Sequence, residues 1–394
     1  MLGVGVHHEY MRAMSGVLAI LTAVVWLYLI GGRGRFWLGP VRDDETPPTP
    51  ARWPSVAVVI PARNEAPVIG ASVSSLLRQD YPGPLSIVVV DDDSSDGTAN
   101  AARRTAIEAG GQVTIVPSQG PPAGWTGKLW ALKLGVKAAE AARPMYLLLT
   151  DADIVHTPDT LTWLVANSQA EGRVLTSLMA RLRCESLAER SHVPAFIYFF
   201  QMLFPFAWVG RSDSGSAAAA GGCMLIRTDA LVRIGGIGSI RNALIDDCAL
   251  AAKLKEVGPI WLGLTGRVRS IRPYLRFADV RQMIARSAYA QLRFSPLLLA
   301  AATAGMALTF LAPPLLAIFA EGWPRYVGLA TWLAMALSFV PMLRFYRQSP
   351  LWGLALPSIA LLYMLYTLES AWRHLRRRGG EWKGRVHIDA PSLS

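Results

Sequence analysis

The chain has 394 residues, 52% of them hydrophobic, and carries a formal charge of +11 at pH 7. That length holds one sizeable domain and a smaller region, and the mean hydropathy of +0.31 is high for a chain that meets only water. The positive charge is not gathered into a Lys/Arg tract interleaved with aromatics, which sets nucleic acid aside as a partner. It flanks apolar stretches instead, where it suits the anionic headgroups of a membrane. Cys184, Cys223 and Cys248 are odd in number and lack metal-ligand spacing, so no disulfide framework is implied, which fits a reducing compartment.

Residues 1–35 read as a membrane anchor. Ser15–Ile30 is an uncharged apolar run, just short of the roughly 20 residues of a spanning helix. A cleaved signal peptide is the alternative, but Gly31–Arg35 (GGRGR) comes next rather than a small-residue cleavage site. Arg33, Arg35 and Arg42 lie after the run and Arg12 alone precedes it. By the positive-inside rule the N-terminus is outside and the chain from Arg33 onward is cytoplasmic, as expected for a multi-pass protein of the cell inner membrane. Residues 36–54, with the Pro-rich and acidic Asp43–Pro54, read as a linker.

From 55 to 275 the pattern is α/β. Strands are expected at Val56–Ile60, Ile87–Val90, Val113–Val116 and Tyr146–Thr150, and helices at Pro67–Gln79, from Thr98 and at Leu129–Glu140. This alternation predicts a mostly parallel, Rossmann-like sheet with helices on both faces and a ligand site beyond the carboxyl ends of its strands. Pro194–Val209 is apolar and aromatic, and reads equally as a segment dipping into a bilayer interface or as a buried core helix. Residues 276–296 read as an interfacial helix region and 297–372 as C-terminal transmembrane helices. Leu297–Ala320, Val327–Leu343 and Leu351–Leu368 are the apolar stretches there. Three crossings would leave the basic tail, 373–394, outside, against the positive-inside rule. One stretch is therefore expected to be re-entrant or interfacial, with Leu297–Ala320 and its Pro313-Pro314 pair the first suspect.

Three acidic clusters carry the chemistry. Asp91, Asp92 and Asp93 end one strand in VDDDSSDGT, where the acids can accept from a base or a ribose, or simply form an Asx-type turn. Asp151 and Asp153 end another strand. Side-chain alternation would point both at one site, suited to Mg2+ or Mn2+ completed by substrate phosphates. Asp246 and Asp247 open a helical pattern, either as ordinary helix-start acids or with a carboxylate placed as a general base. Lys128, just ahead of a helix, is either solvated or a diphosphate ligand. Gly221 and Gly222 end a small-residue stretch that is either a flexible linker or a surface allowing close approach of an acceptor. Gln282 and Arg286, four apart, share one helix face, either solvated or set against a leaving diphosphate.

In order, VAVVIPARNE at Val56–Glu65, VDDDSSDGT, DAD, the Gly pair and Asp246-Asp247 resemble the family-two, GT-A-fold inverting glycosyltransferases, membrane-bound and related to ceramide glucosyltransferase-like enzymes. GWTGKLWAL, PAFIYFFQMLFPF, AAAAGGCML, LIDDCAL and QLRFS are similar to the hopene-associated glycosyltransferases. The resemblance implies transfer of a sugar from a UDP-sugar to a membrane lipid, hopanoid-type in the nearest subfamily, at the cytoplasmic leaflet. It implies that Asp92 contacts the base with Asp91 beside it, and that Pro61, Arg63 and Glu65 line the uridine pocket. Asp151 would meet the nucleotide sugar, Asp153 would ligate the metal, and Asp247 would be the general base. Gln282 and Arg286 would lie by the diphosphate and acceptor. Two positions depart from the family pattern: Asp246 replaces the usual Glu, and Ser287 stands where processive and ceramide-type members carry Trp. The alternatives are a processive polysaccharide synthase, which the Ser287 departure weighs against, and a non-catalytic nucleotide- or lipid-binding membrane protein.

Overall fold

A computed structural model describes residues 2–376, which form two compact units. One comprises 41–183 and 206–273; the other comprises 2–40, 184–205 and 274–376. The basic tail beyond Arg376 lies outside the described residues.

The first unit is built on a sheet of eight strands: β1 (Val56–Ala62), β2 (Leu85–Asp91), β3 (Thr114–Pro117), β4 (Tyr146–Leu149), β5 (Ile154–His156), β6 (Leu175–Arg181), β7 (Met224–Arg227) and β8 (Ile260–Ser270). The strand order is β3-β2-β1-β4-β7-β6-β8-β5. The β3-β2-β1-β4 half is parallel, β7 runs antiparallel to both neighbours, β6 and β8 are parallel, and β5 is antiparallel to β8. The expected parallel sheet is thus the N-terminal half of a mixed one. Every residue of β1 and β4 is buried, as in a sheet covered on both faces. Register places Ala62 beside Asp91 and Val59 beside Leu149, so the chain leaves β1, β2 and β4 along one edge.

The covering helices begin where local chemistry allows. Ala66–Leu77 has proline in its first turn, where the missing N–H costs nothing. Gly127–Ala139 is capped by Thr126 Oγ1, which accepts from Leu129 N–H at 3.1 Å. Gly135 lies where that helix crosses β1 and β2, and an added Cβ would overlap Val59 Cγ1 and come within 2.9 Å of Val90 Cγ2.

The stretch expected to be a linker is partly bound to this unit. Asp43 is buried, its carboxylate held by Thr265 Oγ1 and by Arg267 Nη1 at 2.8 Å, and Glu45 O accepts from Trp163 Nε1 at 2.8 Å. Pro and acid in the sequence signalled a loop; the anchoring residues lie far along the chain.

Within the second unit, the helix Leu187–Leu203 starts in a capping box between Ser186 and Glu189. Arg33 closes its other end, donating to Met202 O at 2.7 Å and Leu203 O at 3.1 Å. Most of its side chains are buried, and Tyr198 packs on Phe36 and Phe339 and bonds Ser338 Oγ at 2.7 Å. Of the two readings of Pro194–Val209, the helical part to Leu203 fits the buried one.

Among the described residues four helices are long and apolar enough to cross a membrane: Arg12–Gly32, Leu187–Val209, Pro296–Phe319 and Trp323–Phe345. Leu187–Val209 cannot be a single crossing. The strands before and after it, β6 and β7, are hydrogen-bonded neighbours, so both its ends return to one sheet. The Pro313-Pro314 pair does not break the helix over Leu297–Ala320. Its prolines fall in the first turn of a new helical segment, Ala312–Phe319, after a π-turn at Ala307–Leu311, so the rod continues. The exception is Leu351–Leu368, which falls on a 3-10 turn, Pro350–Gly353, and the helix Leu356–Leu375.

Replacing Gly135 by alanine should cost about 2–3 kcal/mol, because the helix must lift from β1 and β2 to admit the methyl group. Thermal denaturation of the purified protein in detergent would show it as a lowered midpoint; an unchanged midpoint would contradict this packing.

Candidate active site

The loops after β1 and β2 are zipped together. Asn64 N–H donates to Ser94 Oγ at 2.9 Å, and Asn64 Oδ1 accepts from Ser95 N–H at 3.0 Å. Asp96 accepts from Ala66 N–H at 3.0 Å and Thr98 N–H at 3.1 Å, so one carboxylate serves the starts of two helices. Asn64 and Asp93 adopt φ of 50° and 56°, a conformation that short polar side chains tolerate best after glycine. The Asx-turn reading of VDDDSSDGT therefore holds locally. Asp91 Oδ1 accepts from Ser94 N–H at 3.2 Å.

Asp92 is fully buried and turned inward. Its Oδ1 accepts from Ser118 Oγ at 2.9 Å, and Arg63 Nη1 lies 3.9 Å from Oδ2 and 2.5 Å from the backbone oxygen. In this arrangement Asp92 holds Arg63, which also stands 3.8 Å from Asp93. Pro61 lies in the buried end of β1 and lines the recess beside it.

That recess encloses roughly 290 Å³ of space open to solvent. It is apolar at Leu129, Leu132, Leu149, Met224 and Leu250, and charged at Lys128, Asp151, Asp246 and Asp247. Lys128 is the second residue of its helix, and its Nζ bridges Asp151 Oδ1 at 3.0 Å and Asp246 Oδ2 at 3.1 Å. Burial works against the ammonium, but Asp151, Asp246 and Asp247 outweigh it and hold Lys128 above the ordinary lysine range. Asp151 is raised by burial, with Lys128 opposing and Asp153 and Asp246 reinforcing the shift.

Asp246 and Asp247 are the first two residues of the helix Asp246–Lys255, where acids suit the positive end of the helix dipole, and both line the recess. Asp247 Oδ1 accepts from Cys248 N–H at 2.7 Å and Oδ2 from Gly221 N–H at 3.0 Å. Burial and then the Asp246 charge push Asp247 up to about 6, against the lowering pull of Lys128 and the two N–H donors. Gly221 is close to both groups: a Cβ would stand 3.3 Å from Lys128 Nζ and 3.5 Å from Asp247 Oδ2. Gly222 O accepts from Thr150 Oγ1 at 2.7 Å, and that oxygen bonds His156 Nε2 at 3.1 Å. Ala218, Ala219 and Ala220 are buried and Ser177 bonds the Ala220 backbone, so the small-residue stretch is a fixed wall rather than a flexible linker.

The Asp-Ala-Asp pair behaves differently from the expectation. Asp151 faces Lys128, while Asp153 accepts from Ser270 Oγ at 2.7 Å and Arg272 Nε at 3.2 Å, and Arg272 Nη2 pairs with Glu65 Oε1 at 2.6 Å. The strand ends at Leu149 and residues 151–153 are in a turn, so strand alternation no longer governs them. Gln282 and Arg286 belong to the other unit, where both are exposed at the end of the helix Phe277–Ala285. Sequence reasoning missed Thr150, His156, Ser118, Ser270 and Arg272. Only Thr150, directly before the Asp-Ala-Asp motif, carried a local signal.

Among the described residues no three His, Cys, Asp or Glu side chains gather into a metal cage. The donors present nonetheless suit a hard divalent cation that takes one or two carboxylates and fills its shell with phosphate oxygens and water. The ammonium between Asp151 and Asp246 marks where those carboxylates hold positive charge.

Residues 54–268 match the family described as Glycosyltransferase like family 2. An N-acetylglucosaminyltransferase of Mesorhizobium japonicum is 31% identical over 149 residues, 36% of this chain and 33% of that protein. A 4,4'-diaponeurosporenoate glycosyltransferase of Staphylococcus haemolyticus is 35% identical over 100 residues, 25% of this chain and 24% of that one. The chain thus spans a third or less of the length of these relatives. Among solved structures, a mannosyltransferase from Pyrobaculum calidifontis in complex with GDP-Man and Mn2+ superposes with a TM-score of 0.53 at 22% identity, over 91% of this chain and 99% of that one. At that identity the likeness speaks for the GT-A-like fold alone. With more than half of its length matched, and with the carboxylate-rich recess at the strand ends, the chain belongs to glycosyltransferase family 2.

Proposed function

We propose that this protein is an inverting, metal-dependent glycosyltransferase that moves one sugar from a UDP-sugar to the hydroxyl of a membrane lipid. The observation that carries the reading is Asp247. It is a carboxylate steered by two backbone N–H groups into the charged recess and tuned to about 6, near the ideal for a base working at neutral pH. Asp247 takes the proton of the acceptor hydroxyl as its oxygen attacks the anomeric carbon. The bond to the diphosphate breaks on the opposite side, UDP leaves, and one displacement inverts the centre.

Lys128 would meet the developing charge on the leaving diphosphate, and Asp246 orients Lys128. Pro61, Arg63, Glu65, Asp91 and Asp92 would shape the nucleotide end. Gly221 and Gly222 form the wall past which the acceptor approaches. By family resemblance, Gln282 and Arg286 would bring further polar contacts to the diphosphate and acceptor. By family resemblance, Asp151 would meet the nucleotide sugar and Asp153 would hold Mg2+ or Mn2+, which when bound supplies positive charge against the diphosphate.

The lipid acceptor is supported by the membrane-capable helices of the same chain, and its hopanoid class by family resemblance. Ser287, in place of the Trp of processive relatives, favours addition of a single sugar. The placement of Arg33, Arg35 and Arg42 after the first apolar helix supports a catalytic unit on the cytoplasmic side of the inner membrane.

Incubating membranes containing the protein with a panel of UDP-sugars, and then extracting the lipids for mass spectrometry, should reveal one added hexose on a lipid. A polymer would point to a polysaccharide synthase, and unchanged lipids with no donor consumption would overturn the enzymatic reading.

Asp247→Asn should lower transfer by about 10³-fold while UDP affinity stays within about twofold of the parent protein. Parallel loss of both would remove Asp247 from the role of base.

The base works as the carboxylate, so transfer should be complete above about pH 6 and fall as pH drops through that value. Asp246→Asn removes a charge that raises Asp247, so the acid limb should move lower. A pH–rate profile with no limb in that region, or a limb that rises in the variant, would contradict the electrostatic assignment.

A further inference from the structure

His156 is a buried imidazole with no part in the transfer as described so far. It ends β5, whose backbone is paired with β8, and its N–H donates to Ser75 Oγ at 3.1 Å. Nε2 lies 3.1 Å from Thr150 Oγ1, and Thr150 Oγ1 lies 2.7 Å from Gly222 O. These two contacts settle where the protons are. Gly222 O can only accept, so the single hydroxyl proton of Thr150 points at it. Nε2 must then carry the imidazole proton and donate it to Thr150 Oγ1. That leaves Nδ1 with a bare lone pair, and it has no hydrogen-bond partner among the described residues. Burial pushes the ring down to about 4, so it is neutral at the pH where the base is ionised.

For stability alone such an imidazole is a poor choice. One nitrogen is desolvated without a partner, where an apolar side chain would bury no polar atom. What His156 does supply is a one-way chain of donors, from His156 to Thr150 to Gly222 O. The chain ends on the turn that meets the base. Gly221 N–H, one residue before the carbonyl that Thr150 grips, donates to Asp247 Oδ2 at 3.0 Å. The other side of the turn is held by Ser177 Oγ, which accepts from Ala220 N–H at 2.9 Å and donates to Cys223 O at 3.0 Å. Gly221 and Gly222 lie between these anchors and, without side chains, have the freest backbone there. With Gly222 O released, the Gly221 N–H is free to swing off Asp247.

We propose that His156 is a positioning residue for sugar transfer: through Thr150 it locks the Gly221–Gly222 turn and keeps the Gly221 N–H aimed at Asp247. This inference rests on the reading of Asp247 as the base given under Proposed function. His156 touches no substrate. It sets the direction of a hydroxyl, and the hydroxyl sets the direction of a peptide. The groups facing Asp247 are Asp246, which raises it with burial, and Lys128 and the Cys248 and Gly221 N–H groups, which lower it. Weakening the Gly221 donor alone leaves the others in place, so Asp247 moves up.

Release of UDP from UDP-glucose and from UDP-N-acetylglucosamine, in membranes that hold the full-length protein, supplies the rate. His156→Leu and Thr150→Val should each lower kcat about tenfold, with KM for the donor within about twofold of the parent protein. The acid limb of the pH–rate profile should move to higher pH in both. His156→Gln, whose amide nitrogen can donate where Nε2 did, should recover most of the rate. The double variant should be no slower than Thr150→Val alone, because both changes break one chain. A parent-like rate and limb in His156→Leu, losses that multiply in the double variant, or a His156→Gln no better than His156→Leu would overturn the relay. Thermal denaturation in detergent separates positioning from folding: His156→Leu should keep or raise the midpoint of the parent. A lowered midpoint with an unmoved limb would assign His156 to folding instead. His156→Phe serves as a second apolar variant, and failure of both to fold would count the same way. If the parent shows no acid limb, or Asp247→Asn keeps its transfer, the base reading falls and the relay with it. That outcome is distinct from a parent limb that His156→Leu leaves in place.

Discussion

Three carboxylates share one recess with a single ammonium, and the arrangement of the site stems from that imbalance. Two like charges about 4 Å apart repel by roughly 4 kcal/mol at an effective dielectric of 20. Asp151, Asp246 and Asp247 can stay together only with compensation. Lys128 supplies it for Asp151 and Asp246 directly. Asp247 is held by the Gly221 and Cys248 N–H groups, which offset part of the cost of burial but leave its pKa at about 6. Incomplete compensation gives a carboxylate that is ionised at neutral pH yet basic enough to accept a proton.

Distant parts of the chain converge to make this possible. Parallel pairing of β1, β2 and β4 brings their carboxyl ends to one edge, while β7 reverses direction beside β4. That reversal brings Gly221 and Gly222, just before β7, to the end of β4 where Thr150 and Asp151 lie. The hydrogen bond from Thr150 Oγ1 to Gly222 O joins the two. An all-parallel sheet would carry the residues before β7 to the opposite edge, away from the acids.

The sequence made strands and their acidic ends legible because β-branched runs and Asp clusters are local signals: Val56–Ile60 and Ile87–Val90 lie inside β1 and β2, and the helix expected from Thr98 begins there. What it could not show was which cation each acid would find. Arg272 lies 119 residues from Asp153 and 207 from Glu65, and Ser118 lies 26 from Asp92. No spacing rule reaches so far. The paired use expected of Asp151 and Asp153 assumed strand alternation one turn too late. The stretch around Asp43 looked like a linker because its anchors, Thr265 and Arg267, are equally remote.

The same reasoning about chain connectivity bears on the conflict over crossings. A helix whose two ends feed neighbouring strands of one sheet returns to the side it left, which removes Leu187–Val209 from the count. Arg12 Nη2 meets Glu321 Oε2 at 3.3 Å, so the start of the first helix and the connection between Phe319 and Trp323 share one end of their unit. Arg12–Gly32, Pro296–Phe319 and Trp323–Phe345 then alternate in direction. Two crossings after Pro296, rather than three, return the chain to the side on which it entered them, provided that Leu356–Leu375 does not cross. That helix carries Glu369 paired with Arg373 at 2.6 Å and with Arg281 at 3.8 Å, partners from its own turn and from the Phe277–Ala285 helix. A carboxylate so committed, in a helix that packs on this neighbour, belongs with the polar surface rather than with hydrocarbon, where a charge is expensive. With that helix off the count, Arg373 and Arg376 would lie on the same side as Arg33 and Arg35, which is what the charge rule expects.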